Sequence, residues 1–121
     1  MEEKMMKYCV AANMVGSPTT PVPLSGDFCE QMRKAHKMGY DAIEIHVPDV
    51  SVLDVPTIRA CMQETSMEVA TLGTGTIYGR YGLHLCDEDE QRQQELFERV
   101  CAFIDCAAQL NARVTIGSIK G

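Results

Sequence analysis

Apolar residues along this chain recur at two spacings in turn, and that alternation predicts the elements. Residues 7–13 (KYCVAAN) form a short apolar run, and 16–26 is rich in Gly, Ser, Thr and Pro, which reads as a buried strand followed by a loop. Asp27 with Glu30 three residues later has the form of a capping box. Phe28, Met32, Ala35 and Met38 then recur at helical spacing until Gly39, predicting a helix over 28–38. Residues 41–47 (DAIEIHV) alternate with a period of two and predict a second strand, ended by Pro48-Asp49. Asp54 as N-cap and Pro56 in a first turn predict a second helix reaching about Thr65, and 67–72 reads as a third strand. Gly73-Thr74-Gly75 then opens a long loop, expected over 76–86, so that no helix start is expected beside these glycines. The third helix is expected to be capped by Asp87 with Glu90, the acidic cluster 87–90 sitting at the positive end of its dipole. Its apolar face is Leu96, Val100, Phe103, Ala107 and Leu110, and Asn111 stops it. A fourth strand, 113–116, closes the pattern.

Apolar strands alternating with amphipathic helices in the order β-α-β-α-β-α-β predict an α/β fold with parallel strands in one domain over 1–121. The pattern fits either a small open sheet with helices on both faces or half of a (βα)8 barrel with all helices outside.

Composition narrows the classes of function. A chain with 45% hydrophobic and 23% charged residues can bury a core. A net charge of −6 with 11 basic residues gives no basic stripe, which argues against nucleic acid and against a membrane surface. Lys7 and Asn13 interrupt the first apolar run, and the charged opening 1–4 lacks the form of a signal peptide, so a cytoplasmic protein is expected. The six cysteines contain no CxxC pair and lie largely in apolar segments, which reads as free buried thiols.

Strand two carries the clearest candidate chemistry. Its period places Ile43, Ile45 and Val47 on one face and Ala42, Glu44 and His46 on the other. Helices must cover the aliphatic face. Glu44 then needs an interior that tolerates polar groups, because under apolar helices an unpaired carboxylate costs several kcal/mol. His46 falls at the carboxyl end of its strand, where barrels and open α/β sheets gather functional residues. Gly73, Thr74 and Ser118 follow strands three and four and leave room for a ligand at the same end. Tyr78, Arg80 and Tyr81 occupy the long loop and are candidates for a lid or a contact with a neighbouring chain; His84 in the same loop could reach a ligand but reads first as a solvated histidine, and His36 near Lys34 and Lys37 reads as a surface residue.

Read together, 38–45 (MGYDAIEI), the Gly73-Thr74-Gly75 turn, 82–94 (GLHLCDEDEQRQQ) and 116–121 (IGSIKG) resemble the xylose-isomerase-like (βα)8 family of sugar phosphate isomerases and epimerases and hydroxypyruvate isomerases. The resemblance implies the first half of a (βα)8 TIM barrel, strands one to four. In the family a divalent metal (Mn, Co, Mg or Zn) is held at the ends of strands five to eight, beside two glutamates that transfer protons next to a sugar carbonyl. No catalytic or metal-binding residue therefore carries over. Glu44, His46, Gly73, Thr74, Arg80 and Ser118 are the candidate substrate contacts. DNA-repair relatives on this fold use histidines after strands three and four as metal ligands; this chain has Gly73-Thr74 and Gly117-Ser118 there, which argues against that branch. The expected partners are a small sugar or sugar phosphate and, for the open strand edges, the missing C-terminal half or another copy of the chain. The rival expectation is a non-catalytic α/β half-barrel module that self-associates or binds a partner or small ligand.

Overall fold

The computed structural model describes residues 6–13, 24–25 and 27–121. Its strands are β1 (Cys9–Asn13), β2 (Leu24–Ser25), β3 (Ala42–His46), β4 (Glu68–Gly73) and β5 (Arg113–Thr115). Its helices are α1 (Phe28–Lys37), α2 (Val55–Thr65), α3 (Gly75–Tyr81) and α4 (Glu90–Leu110), with 3-10 turns at Val50–Val52 and Ser118–Lys120. All strand pairs are parallel, in the order β2-β1-β3-β4-β5. Apart from the short β2, the sheet follows chain order. A doubly wound sheet reverses its order at a switch point, whereas a barrel adds each strand beside the last, so the order is that of the first half of a (βα)8 barrel.

Local chemistry accounts for most element ends. The Asp27 carboxylate accepts from Cys29 N at 2.9 Å and Glu30 N at 3.2 Å, capping α1, and Asp54 accepts from Thr57 N at 3.2 Å, capping α2. Gly39, at φ 90°, takes the left-handed turn out of α1, and Asn111, at φ 54°, does so after α4. Met38 is already the C-cap of α1 and lies exposed, contrary to its place in the expected apolar stripe. Gln31 is buried on that face instead, and its Nε2 donates to Asn13 O at 3.1 Å.

Two boundaries differ for clear physical reasons. The stretch 76–86, expected as a loop, begins with α3, so a helix starts immediately after Gly73-Thr74. Its Gly- and Thr-rich sequence has weak helix propensity, but the fully buried Ile77 anchors it, and Gly82 ends it with φ 69° and a bond from its N to Tyr78 O. Asp89, not Asp87, caps α4, accepting from Gln91 N and Arg92 N. Asp87 instead holds Arg92 Nε at 2.6 Å, and this hydrogen bond is the main reason its carboxyl lies below the usual range. The stretch 16–26, also expected as a loop, contains β2 at 24–25. The rest of it, like residues 1–5, lies outside the described residues.

The core forms where the helix-side face of the sheet meets the helices. Val10, Ala12, Ile43, Ile45 and Leu72 from the strands meet Phe28, Met32, Ile58, Phe103 and Leu110 from α1, α2 and α4. Cys29, Cys61 and Cys106 are buried free thiols, whereas Cys9 and Cys86 are exposed, which corrects the expectation for those two. Ile43 and Ile45 are fully buried, so Ile45→Ala should cost about 2–5 kcal/mol of stability in urea denaturation. A loss below about 1 kcal/mol would show that the site collapses or was never packed.

Candidate functional site

The strand register assembles two rows on the sheet face turned away from the helices. Ala11, Glu44, Thr71 and Arg113 lie side by side in one row, and Asn13, His46, Gly73 and Thr115 lie in the next, at the carboxyl ends of the strands. One irregularity makes this possible. The register between β3 and β4 shifts at Ile43/Glu44, giving β4 the extra residue Ala70, so that Val69 pairs with Ile43 but Thr71, not Ala70, pairs with Glu44. Without that bulge Gly73 would not stand opposite His46.

His46 and Glu44 form the centre of the face. Their side chains keep 28% and 41% exposure, and His46 Nε2 lies 3.5 Å from Glu44 Oε2. This pair can present a hydrogen-bond donor and an acceptor to the same ligand, still partly in water. The imidazole lies across Gly73, where a Cβ would come within 2.5 Å of Nδ1 and 2.6 Å of Cε1. Glycine at 73 is therefore the space in which the ring sits. On the far side of β4, Thr71 and Thr115 share a hydroxyl hydrogen bond and Thr71 Oγ1 also donates to Arg113 O at 3.1 Å, tying β5 to the sheet. Cys9, near Glu44 on β1, has its thiol pushed up to about 11, first by desolvation and then by the Glu44 carboxylate.

The other candidates occupy different places. Thr74 is fully buried, and its hydroxyl donates to Thr115 O at 2.8 Å and accepts from Gly117 N at 3.4 Å, so it clamps the ends of β4 and β5 together. Ser118 is exposed at the same end, and a Cβ on Gly75 would come within 3.6 Å of its N and Oγ. Arg80 stands exposed on α3 and makes no hydrogen bond or ion pair among the described residues. Tyr81 lies beneath the Arg99 guanidinium, 3.8 Å from it, while Tyr78 meets the His84 ring edge-on at 6.0 Å. The His84 Nδ1 is buried with no partner, and His36 is exposed, as its basic neighbours suggested. The register thus gathers Glu44, His46 and Gly73, with Thr74 next along the chain and Ser118 beside Gly75, while Arg80 lies on α3. Asn13, Thr71 and Thr115 join the face without having been singled out. Polarity at alternate strand positions was the available signal, but the bulge at Ala70 hides it in β4.

Among the described residues no group of three or more His, Cys, Asp or Glu side chains could hold a metal ion. Among the described residues no helix is long and apolar enough to cross a membrane.

Neither a family model nor a curated protein matches the sequence. The fold does match solved structures. A crystal structure of "AP endonuclease, family 2" from Brucella melitensis superposes with a TM-score of 0.58 at 21% identity, covering 88% of this chain. The match spans 38% of that chain, so this protein corresponds in fold to part of a TIM-barrel protein. At this identity the likeness is one of fold.

Gly73→Ala should drive the His46 ring from its place, and a double-mutant cycle measures the contact. The destabilisation by Gly73→Ala, about 1–3 kcal/mol by analogy with overpacking, should largely vanish in a His46→Ala background. An unchanged cost in both backgrounds would separate the two residues. Glu44→Gln should lower the Cys9 thiol toward its ordinary range and speed its alkylation at pH 8–9, read by mass spectrometry of the Cys9 peptide. An unchanged rate would place Glu44 away from Cys9.

Proposed function

We propose that this chain is the N-terminal, substrate-binding part of a metal-dependent sugar or sugar phosphate isomerase or epimerase. The observation that carries the reading is the Glu44–His46 pair, open to solvent at the carboxyl ends of strands whose other face is sealed by helices. A polyhydroxylated ligand suits this pair. The imidazole donates to a hydroxyl or carbonyl oxygen, Glu44 accepts from a neighbouring hydroxyl, and Thr115 at the end of β5 offers a further hydroxyl on the same row. Gly73 keeps the floor low enough for His46 to lie flat. The resemblance of 38–45, 73–75, 82–94 and 116–121 to that family supports the substrate class.

The described residues do not form a closed set of metal ligands, so no step of the chemistry is assigned to a metal. Proton abstraction next to a carbonyl would fall to residues outside this chain. Its own task is to orient the sugar and to hold the hydroxyls that flank the reacting carbons.

Titrating isotope-labelled protein with ketoses and ketose phosphates should perturb the amide signals of Asn13, His46, Gly73 and Thr115 together, and His46→Ala should abolish the response. Calorimetric titration with manganese, cobalt and zinc should show no sub-micromolar site. Perturbations confined to other surfaces would refute the pocket. Tight metal binding lost on His46→Ala would make His46 a ligand and overturn its assigned role.

A further inference from the structure

Two of the chain's cysteines share one seam between helices. Cys29 is the second residue of α1, and Cys61 lies in the middle of α2, 32 positions later. Both are buried, Cys29 at 9% and Cys61 at 2% exposure. Their contacts cross from helix to helix. The Cys61 Sγ donates to Cys29 O at 3.6 Å, and the Cys29 Sγ donates to Thr57 O at 3.8 Å. Thr57 stands one turn before Cys61, and helical side chains lean back over the preceding turn, so each sulfur lies against the stretch of helix that carries the other. The thiols also act on each other directly: burial first, and then the Cys61 thiol, push Cys29 up to about 11. One turn further along both helices Arg33 and Glu64 pair at 3.1 Å, holding the same register at the surface. Three other thiols have different surroundings. Cys106 is pushed up by desolvation alone, Cys9 by desolvation and then Glu44, and Cys86 donates to Lys120 O at 3.3 Å.

We propose that Cys29 and Cys61 are a reversible redox site, which closes to a disulfide pinning α1 to α2 when the surrounding pool of small thiols and disulfides turns oxidising. Closure is a two-step exchange. Fraying of the first turn of α1 brings Cys29 to solvent, where its thiol loses a proton and the thiolate attacks one sulfur of a soluble disulfide such as oxidised glutathione. A mixed disulfide forms, and the departing glutathione thiolate takes up a proton. Cys61 then gives up its proton and displaces the second glutathione from the Cys29 sulfur. Two S–H bonds and one S–S bond break while one S–S and two S–H bonds form, so the two electrons lost by the pair reduce the soluble disulfide to two thiols. Arg33, whose charge pulls the Cys29 thiol down, favours the attacking thiolate once water replaces the apolar surroundings.

The bond would lie behind β3. Both cysteines belong to the core that buries Ile43 and Ile45, so the crosslink fastens the helix layer that fixes the orientation of the strand and leaves Glu44 and His46 open on the other face. Closure depends on the seam between α1 and α2 alone, whatever ligand the polar face takes.

Glutathione buffers of graded oxidised-to-reduced ratio, followed by alkylation of the remaining thiols, provide the test. Digestion with trypsin and an aspartate-specific protease separates peptides 27–33 and 60–80, which carry Cys29 and Cys61 alone. Mass spectrometry should find these two peptides joined, from protein whose amide spectrum stays native. A crosslink between positions this far apart restricts the unfolded chain, so the equilibrium constant for closure should be about 10²–10³-fold larger in the native protein than in denaturing urea. The urea midpoint of the oxidised protein should rise to match. Cys61→Ala should remove both the joined peptides and the rise, and the reduced wild type is the reference, so a poorly folded variant leaves the comparison intact. Closure no more favourable in the native protein than in urea, Cys29 and Cys61 joined only to other cysteines or to glutathione, or a lower urea midpoint on closure would each overturn the proposal.

Discussion

Burial of every second residue of β3 against the helix layer constrains the rest of the molecule. Ile43, Ile45 and Val47 lose all exposure, and because side chains in a strand alternate, the same event fixes Glu44 and His46 on the opposite side. A slip of one residue would bury a carboxylate and an imidazole under α1 and α2 and expose two isoleucines. Each exposed isoleucine forfeits roughly 1.5–3 kcal/mol, before any penalty for the buried charge. The register of β1, β3, β4 and β5, and with it the make-up of the two polar rows, follows from that choice of face.

The mouth is built by small adjustments to this frame. The extra residue in β4 returns Thr71 to the level of Glu44 and Gly73 to the level of His46, and the missing side chain of Gly73 becomes the seat of the imidazole. Thr74 then closes the end of β4 onto β5 with both its backbone N and its hydroxyl directed at Thr115 O. Glu44 and His46 stay partly solvated while the isoleucines of the same strand are buried on its other face. That division lets a pocket bind polar ligands without the desolvation cost a buried pair would carry.

Most of the architecture was legible because it depends on local pattern. Strict alternation in 41–47 and caps at Asp27 and Asp54 predicted β3, α1 and α2, and the Leu96 to Leu110 spacing predicted the buried face of α4. What escaped depends on tertiary contacts. Helix α3 has poor propensity and forms around the buried Ile77; Asp87 and Asp89 are equivalent as caps until Arg92 claims the first; and Gln31 is buried because Asn13 O needs a donor. At the site, Glu44 and His46 were visible from their period and Gly73 from its place after a strand. Thr74 also stood out, but as a clamp it could be recognised only from its partners on β5 and on the following turn. Arg80 was singled out from an expected loop and lies instead on α3.

The orientation of β3 supports every other conclusion, and nuclear magnetic resonance with a soluble paramagnetic relaxation agent measures it most directly. The account predicts strong attenuation of the His46 ring and Glu44 side-chain signals, with the methyl groups of Ile43, Ile45 and Leu72 protected. Protected His46 and attenuated isoleucine methyls would invert the sheet and contradict the account.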